Sequence, residues 1–260
     1  MLPALENLSL GLIQGVAEWL PISSQGIVTL IANNVFGMDY THSLELAIWL
    51  HIGTLAAAII YLREELVKAL KGFRGGGEGR RLLQFLIIST LSTAVTAIPL
   101  LLLQLRIPIP ASITTALIGI MLITMAKVAG KSRAGGGDGL RLRTALVTGL
   151  AQGLAIIPGV SRSGVTVLAL LAQGVGLRRA FTLSFLMSIP VTAGAQLALP
   201  LLLTPPDFTP SLALATLSAA VTGLLTIHIL IHLSSHKNYT KMLLALAAIS
   251  LAVAGLTALK

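Results

Sequence analysis

The sequence predicts an all-α protein that crosses a membrane several times and forms one membrane domain over residues 1–260. Of its residues, 55% are apolar and 10% are charged, and the mean hydropathy is +0.91. Soluble domains carry about 25% charged residues, so a water-soluble fold is not expected. The net charge of +9 comes mainly from basic residues between apolar stretches. It indicates orientation in a bilayer and argues against a nucleic-acid partner.

Six apolar segments are predicted to form complete transmembrane helices: 41–62, 82–104, 110–128, 180–203, 211–233 and 241–259. Two further apolar regions, 7–36 and 143–174, are interrupted by Pro21 and by Pro158-Gly159. Because proline ends or kinks a helix, each region is predicted to form two short helices separated by a break. The first nine residues contain no Lys or Arg, so a cleavable signal peptide is not expected.

The basic residues predict how these segments are oriented. If each interrupted region is re-entrant, entering and leaving on one side, nearly all of the 18 Lys and Arg residues share a side of the membrane. The positive-inside rule makes that side cytoplasmic. A full crossing by either region would scatter the basic loops over both sides. We therefore expect two re-entrant helix pairs, with both termini and the opening of the site on the external side of the cell membrane.

The two interrupted regions also resemble each other. An offset of 138 residues aligns residues 11–30 with residues 149–168, and eight of the twenty positions are identical. The identities that an apolar composition explains least are Gly11/Gly149, Gln14/Gln152, Gly15/Gly153, Ser23/Ser161 and Gly26/Gly164. With the orientation above, residues 1–130 and 140–260 are predicted to be inverted repeats. Such folds place their binding site near the bilayer midplane, where the broken helices meet.

Two ionisable residues, Glu18 and Arg162, are predicted to lie at membrane depth, one at each break. A charge there costs about 2.5 to 3.5 kcal/mol on insertion scales, so both are functional candidates. A structural ion pair that closes the pocket is the alternative. Polar residues accompany them at the two breaks: Gln14, Ser23, Ser24, Gln25, Gln152, Ser161, Ser163 and Thr166. Hydroxyls at a break can also satisfy backbone groups, but an arginine fork, helix N-termini and a carboxylate together suit phosphate chemistry.

Other conspicuous residues are not assigned to the site. His228, His232 and His236 recur every four residues, and we interpret them as solvated or interfacial rather than as metal ligands. His51 is compatible with either a pocket-lining role or a buried structural hydrogen bond. Glu45, Trp19 and Trp49 are expected to anchor spans near the external interface. The absence of cysteine excludes a thiolate nucleophile and a Cys-ligated metal.

Two motifs contain the candidate residues. The first runs from Gln14 to Glu18 and on through Pro21-Ile22-Ser23-Ser24, and the second from Pro158 to Thr166. Both resemble the motifs of the bacitracin-resistance family of undecaprenyl-diphosphate phosphatases. The segment Leu50 to Thr54 resembles that family as well.

This resemblance implies six spanning helices with two re-entrant pairs in an inverted repeat. It also implies hydrolysis of a polyprenyl diphosphate lipid of the undecaprenyl type, which recycles the lipid carrier. Glu18 and Gln14 would hold a divalent cation, Mg²⁺ or Ca²⁺, or activate the nucleophile, and Arg162 would clamp the diphosphate. By the same resemblance, Ser24, Ser161, Ser163 and Thr166 would orient the substrate. The other polar residues at the two breaks are also expected to bind it: Gln14, Ser23, Gln25 and Gln152.

One position departs from the family pattern. The family usually has a histidine where this sequence has Ile27. We therefore expect Ser24, or a water held by the cation, to attack the terminal phosphorus with Glu18 as the base. The alternative function is a polyprenyl-phosphate flippase or transporter, because inverted repeats with broken helices are common in transporters. The chain length of the isoprenoid stays open, and a homodimer is a further arrangement to test.

Overall fold

The computed structural model describes residues 4–104, 136–157, 160–198 and 208–234, with short helical pieces at 119–120, 123–124, 127–128 and 244–245. This described part is helical and contains no β-strand, as the sequence predicts. Its helices are α1 Ala4–Ala17, α2 Ser24–Asn34, α3 Tyr40–Tyr61, α4 Arg63–Lys71, α5 Gly77–Gln104, α6 Leu142–Gly153, α7 Arg162–Ala172, α8 Leu177–Ala198 and α9 Pro210–Leu233.

Four of these helices, α3, α5, α8 and α9, are long and apolar enough to cross a membrane. They correspond to four of the six predicted spans. The other two, 110–128 and 241–259, lie mostly outside the described residues. The protein is therefore a multi-pass membrane protein.

The ends of the spanning helices have identifiable causes. Helix α3 begins after Asp39, whose carboxylate accepts hydrogen bonds from the backbone N–H groups of Thr41 and His42 at 3.0 and 3.3 Å. The His42 N–H also holds the pKa of the Asp39 carboxyl below its usual range. Thr209 caps α9 through Leu212 N–H in the same way. Helix α4 is an addition to the sequence prediction, with acidic residues in its first turn and basic residues in its last, as the helix dipole favours.

Two hydrophobic clusters show the directions of the spanning helices. The first cluster joins Leu10 of α1 and Val28 of α2 to the beginnings of α3 and α9, at Leu46 and Leu212. The second cluster contains the ends of those two helices, the beginnings of α5 and α8, and residues of α6 and α7. Helices α3 and α9 thus run in one direction, and α5 and α8 begin at the opposite end. Each pair of broken helices packs into a different cluster.

Both interrupted regions contain a break between two short helices. The first break covers residues 18–23, around Pro21. In the second, α6 is followed by a 3₁₀ turn at Leu154–Ile156, and α7 begins at Arg162. Residues 158–159, where the sequence places the second break, lie outside the described residues.

Glycines of the two copies make matching contacts. Gly11 and Gly15 of α1 face α9, and Gly149 and Gly153 of α6 face α5. A Cβ atom on any of the four would collide with backbone or hydroxyl oxygens of the facing helix. Helices in a membrane approach this closely only where small residues line the interface. The paired glycines of the sequence repeat therefore hold equivalent helix contacts in the two halves.

The loops at the second cluster's end are joined by polar contacts. Gly137 N–H donates to the carbonyl of Gly174 at 3.1 Å, so the segment that enters α6 lies beside the segment that leaves α7. Ion pairs connect the same region: Lys68 to Glu78 at 2.6 Å, Arg81 to Asp138 at 3.0 Å and Arg179 to Glu65 at 3.7 Å. Basic residues that the sequence assigns to one side of the membrane thus meet at one end of the molecule.

Candidate active site

Glu18 is the centre of the polar site. It directly follows α1, and its backbone N–H still donates to the Gln14 carbonyl at 2.9 Å, which keeps the side chain on the same face as Gln14. Oε2 of Glu18 accepts hydrogen bonds from Gln14 Nε2 at 3.0 Å and from Ser24 Oγ at 2.5 Å. Oε1 pairs with Nη2 of Arg162. The predicted meeting of the carboxylate and the guanidinium across the two breaks is confirmed.

His51 completes the surroundings of the carboxylate. Its Nε2 lies 3.2 Å from Oε2 of Glu18, and its Nδ1 lies 2.8 Å from the carbonyl oxygen of Ala47. His51 also lines the cavity described below. The pocket-lining alternative is therefore confirmed, and the structural hydrogen bond of His51 is half-buried rather than buried. Of the three spaced histidines, His228 and His232 are exposed, and His236 lies outside the described residues.

Arg162 is held on two sides. It is the first residue of α7, and its Cζ lies 5.6 Å from the ring centroid of Trp19. Nη1 of Arg162 is buried and has no hydrogen-bond partner within the described part of the chain. Trp19 is only 1% exposed, and its ring meets Phe185 edge-on at 4.8 Å. The prediction that Trp19 anchors a span at the membrane interface is wrong. Trp19 lies in the break between α1 and α2, and its side chain points into the protein interior.

Hydroxyl groups of the second break tie it to the first. Ser163 Oγ donates to the carbonyl of Leu20 at 3.0 Å, and Ser161 Oγ lies 3.4 Å from the same carbonyl. Ser161 Oγ also accepts from Gly164 N–H at 3.3 Å and so caps α7. Thr166 Oγ1 contacts Ser184 Oγ at 2.5 Å. Three of the predicted substrate-orienting hydroxyls thus have protein partners.

A cavity of about 200 Å³ adjoins the ion pair. Seven of the predicted site residues line it: Glu18, Ser23, Ser24, Gln25, Gln152, Ser161 and Arg162. Gln14, Ser163 and Thr166 are not among its lining residues, and their hydrogen bonds favour a supporting role. The predicted contact of these three with a substrate stays a prediction.

The lining also contains polar residues that lie outside the two sequence motifs. They are Thr93 of α5 and Thr192 and Gln196 of α8. Gln152 Nε2 donates to Thr93 Oγ1 at 3.0 Å, and Gln196 Nε2 donates to the carbonyl of Ile48 at 2.6 Å. A glutamine inside an apolar span is the signal that could have identified Gln196.

The first break carries an unusual backbone conformation beside the cavity. Ser23 has φ 62° and ψ 81°, and it is the one non-glycine residue with positive φ in the described ranges. It precedes α2 but makes no side-chain capping bond. The first N–H groups of a helix have no intrahelical acceptor, and here they lie next to a cavity-lining serine. Strained backbone residues cluster at active sites and ligand clamps, and free N–H groups at a helix N-terminus bind anions.

The predicted divalent cation has no ready-made site among the described residues, where no group of three or more His, Cys, Asp or Glu side chains could hold a metal. Glu18 is the carboxylate of the cavity, and both of its oxygens already face hydrogen-bond donors or the guanidinium. A cation would have to displace one of these groups. The donor set does not fit a resident metal, and the cation requirement stays a prediction.

The fold and the site define a class: a multi-pass helical membrane protein in which two broken helix pairs bring a carboxylate and a guanidinium together beside a half-open cavity. Residues 7–254 match the model of a family described as Bacitracin resistance protein BacA. The chain belongs to this family.

Three relatives illustrate the similarity, and each is named undecaprenyl-diphosphatase. The protein of Methanococcoides burtonii is 40% identical over 217 residues, which cover 78% of this chain and 80% of the relative. That of Methanothrix thermoacetophila is 34% identical over 257 residues, covering 97% and 98%. That of Haloarcula marismortui is 36% identical over 248 residues, covering 90% of each.

Proposed function

We propose that this protein is an integral membrane phosphatase that hydrolyses a polyprenyl diphosphate of the undecaprenyl type to polyprenyl phosphate and inorganic phosphate, and so recycles the lipid carrier. The observation that carries the proposal is the contact of Glu18 with both Ser24 and Arg162 at a half-open cavity. The names of the relatives support it. They give no support to the flippase alternative.

In the first step, Ser24 is the nucleophile. Its hydroxyl donates to Glu18 Oε2 at 2.5 Å, so the carboxylate is placed to remove the proton as the oxygen attacks the terminal phosphorus. The new bond joins Ser24 Oγ to phosphorus, and the bond between that phosphorus and the bridging oxygen breaks. Polyprenyl phosphate leaves with the bridging oxygen. Arg162 stabilises the negative charge on the transferred group.

In the second step, the oxygen of a water molecule forms a bond to the phosphorus and displaces Ser24 Oγ. Glu18, now carrying the proton of Ser24, returns it to Oγ as the Ser24–phosphorus bond breaks, and the water proton moves to the carboxylate or to the released phosphate. Inorganic phosphate is the product, and Ser24 regains its hydroxyl. His51 lies within hydrogen-bond distance of Glu18 and holds the carboxylate in place during both steps.

The architecture that we propose consists of two re-entrant helix pairs in inverted repeats, residues 1–130 and 140–260. Three observations support it. The aligned glycines make equivalent helix contacts. Helices α3 and α9 run opposite to α5 and α8. The contact between Gly137 and Gly174 supports a second pair that enters and leaves at one end.

The proposed orientation puts the basic end in the cytoplasm and both termini outside. The chain has no cysteine, so single-cysteine variants give clean labelling sites. Val35→Cys lies at the end of α2, where the side chain is exposed, and Gly76→Cys lies in the loop before α5, where a new side chain meets nothing within 4 Å. An impermeant maleimide added to intact cells should label Val35→Cys and leave Gly76→Cys unlabelled. The reverse pattern would refute the orientation.

The function itself is tested by phosphate release from undecaprenyl diphosphate by purified protein. We expect wild type to release one phosphate per lipid, and Ser24→Ala and Glu18→Gln each to lose that activity. Glu45→Gln, which changes a carboxylate outside the cavity lining, is the matched control and should retain it. Activity in both site variants would exclude the mechanism. Parallel assays with a chelator, followed by added Mg²⁺ or Ca²⁺, test the predicted cation.

A further inference from the structure

We infer that Trp19 is a positioning residue, whose indole face holds the Arg162 guanidinium so that one of its nitrogens stays available for a diphosphate. The inference rests on the proposed function. It adds to that function a residue outside the hydrogen-bonding set of Glu18, Ser24 and Arg162. Arg162 contacts Glu18 through Nη2, lies over the Trp19 ring, and has no partner for Nη1 in the described ranges.

The guanidinium is only partly satisfied by the protein. Nη2 is bound to Glu18, whereas the buried Nη1 has no partner in the described ranges. A buried charged donor without an acceptor is unfavourable, and native structures rarely leave one unless a ligand or water completes it. The arginine side chain lines the cavity. An anionic ligand there is the group that would satisfy the free nitrogen.

The indole can orient a guanidinium without using its donors. An aromatic face attracts the delocalised cation through its quadrupole, at a distance of up to about 6 Å from the ring centroid. The observed 5.6 Å lies within this range. A serine, asparagine or second carboxylate in the same place would instead take up an N–H group. The aromatic face therefore fixes the position of Arg162 and leaves Nη1 for the ligand.

Trp19 is itself held firmly. Its neighbour in sequence is Glu18, so the carboxylate and the indole reach Arg162 from adjacent positions of the same turn. Phe185 of α8 packs against the ring at 4.8 Å with an interplanar angle of 68°. On another side, a Cβ atom on Gly223 would lie 3.3 Å from Trp19 Nε1, so α9 approaches closely as well. Residues of α8 and α9 thus pack against the indole and restrict its position.

The first experiment separates positioning from general stability. Trp19→Leu keeps an apolar side chain but removes the aromatic face, and it should raise the KM for farnesyl diphosphate about tenfold with a smaller change in kcat. Trp19→Phe keeps an aromatic face and should restore most of the affinity. Trp49→Phe, at a tryptophan that does not line the cavity, is the control. Equal KM values for wild type, Trp19→Leu and Trp19→Phe would overturn the inference.

The second experiment uses fluorescence and needs no turnover. The chain contains two tryptophans, so Trp49→Phe leaves Trp19 as the only indole. In a Ser24→Ala, Trp49→Phe protein, farnesyl diphosphate should change the Trp19 emission, and adding Arg162→Ala should remove that response. A response that survives Arg162→Ala, or no response with Arg162 intact, would overturn the inference.

The two proposals can fail separately. If wild type releases no phosphate but the Trp19 emission responds to farnesyl diphosphate through Arg162, the hydrolase function fails and the positioning role stands. If wild type releases phosphate while Trp19→Leu leaves KM unchanged, the function stands and the positioning role fails.

Discussion

The break after α1 and the break after α6 are alike in their framework and unlike in their chemistry. The repeat aligns Gly11 with Gly149 and Gly15 with Gly153, and these glycines make the same kind of close helix contact. It also aligns Glu18 with Ile156, and Ser24 with Arg162. The first copy therefore supplies the carboxylate and the hydroxyl, and the second supplies the guanidinium.

This difference shows how a duplicated scaffold can form an asymmetric site. Residues that fix the distance between helices stay identical, because both interfaces need the same small side chain. Residues that face the shared cavity differ, because the reaction needs a base, a nucleophile and a cation rather than two copies of one group. Each copy alone carries only part of that set.

The largest expected effect is the loss of the carboxylate from the first break. Glu18→Gln should lower phosphate release by about a thousandfold or more, because it removes the proposed base and leaves Arg162 without its charge partner. Phosphate release by purified protein measures it. A variant that unfolds at lower temperature but keeps its activity would support the alternative of a purely structural ion pair.

A smaller effect is expected from the guanidinium of the second break. Arg162→Lys keeps the charge but loses the planar fork and the contact of the guanidinium with the Trp19 ring, so kcat/KM should fall about a hundredfold. Arg179→Lys, at an arginine in the first turn of α8 that does not line the cavity, is the matched control. Wild-type kcat/KM in Arg162→Lys would show that the second copy contributes only a point charge.

The close helix contacts at Gly15 and Gly153 should each contribute to the stability of the protein. A Cβ atom on Gly15 would collide with Thr222 Oγ1, and one on Gly153 would collide with Thr96 Oγ1. Gly15→Ala and Gly153→Ala should each destabilise the protein by about 1 to 3 kcal/mol. Thermal unfolding in detergent compares them with Gly76→Ala, where the added atom meets nothing within 4 Å. A loss in only one of the two would break the equivalence of the interfaces.

The smallest effect is expected at His51. His51→Gln replaces the imidazole by an amide that can still donate to Glu18, so the carboxylate keeps a hydrogen bond and activity should fall only severalfold. His51→Leu removes the donor and should lower activity further. Steady-state kinetics of the two variants distinguish them. Equal activity in both would show that the contact with Glu18 has no role in the reaction.

The sequence was sufficient for the fold class, four of the spans, the two breaks and the pairing of Glu18 with Arg162. Charges and prolines carry this information, since an isolated charge or a broken helix in a membrane needs a partner or a cavity. The sequence could not reveal that Trp19 is buried or that Thr93 lines the cavity. A helix that is apolar all round has no periodicity that marks its inner face. Only the packing of α5 and α8 decides which side chains turn inward.

The glycine contacts join the first half of the chain to the second. Helix α1 packs on α9, and α6 packs on α5, so each half contributes a support that the other half requires. A fragment that ends before α6 would leave Gly11 and Gly15 facing lipid. Two fragments separated between α5 and α6 should therefore assemble only when they are synthesised in the same cell, and neither would persist alone.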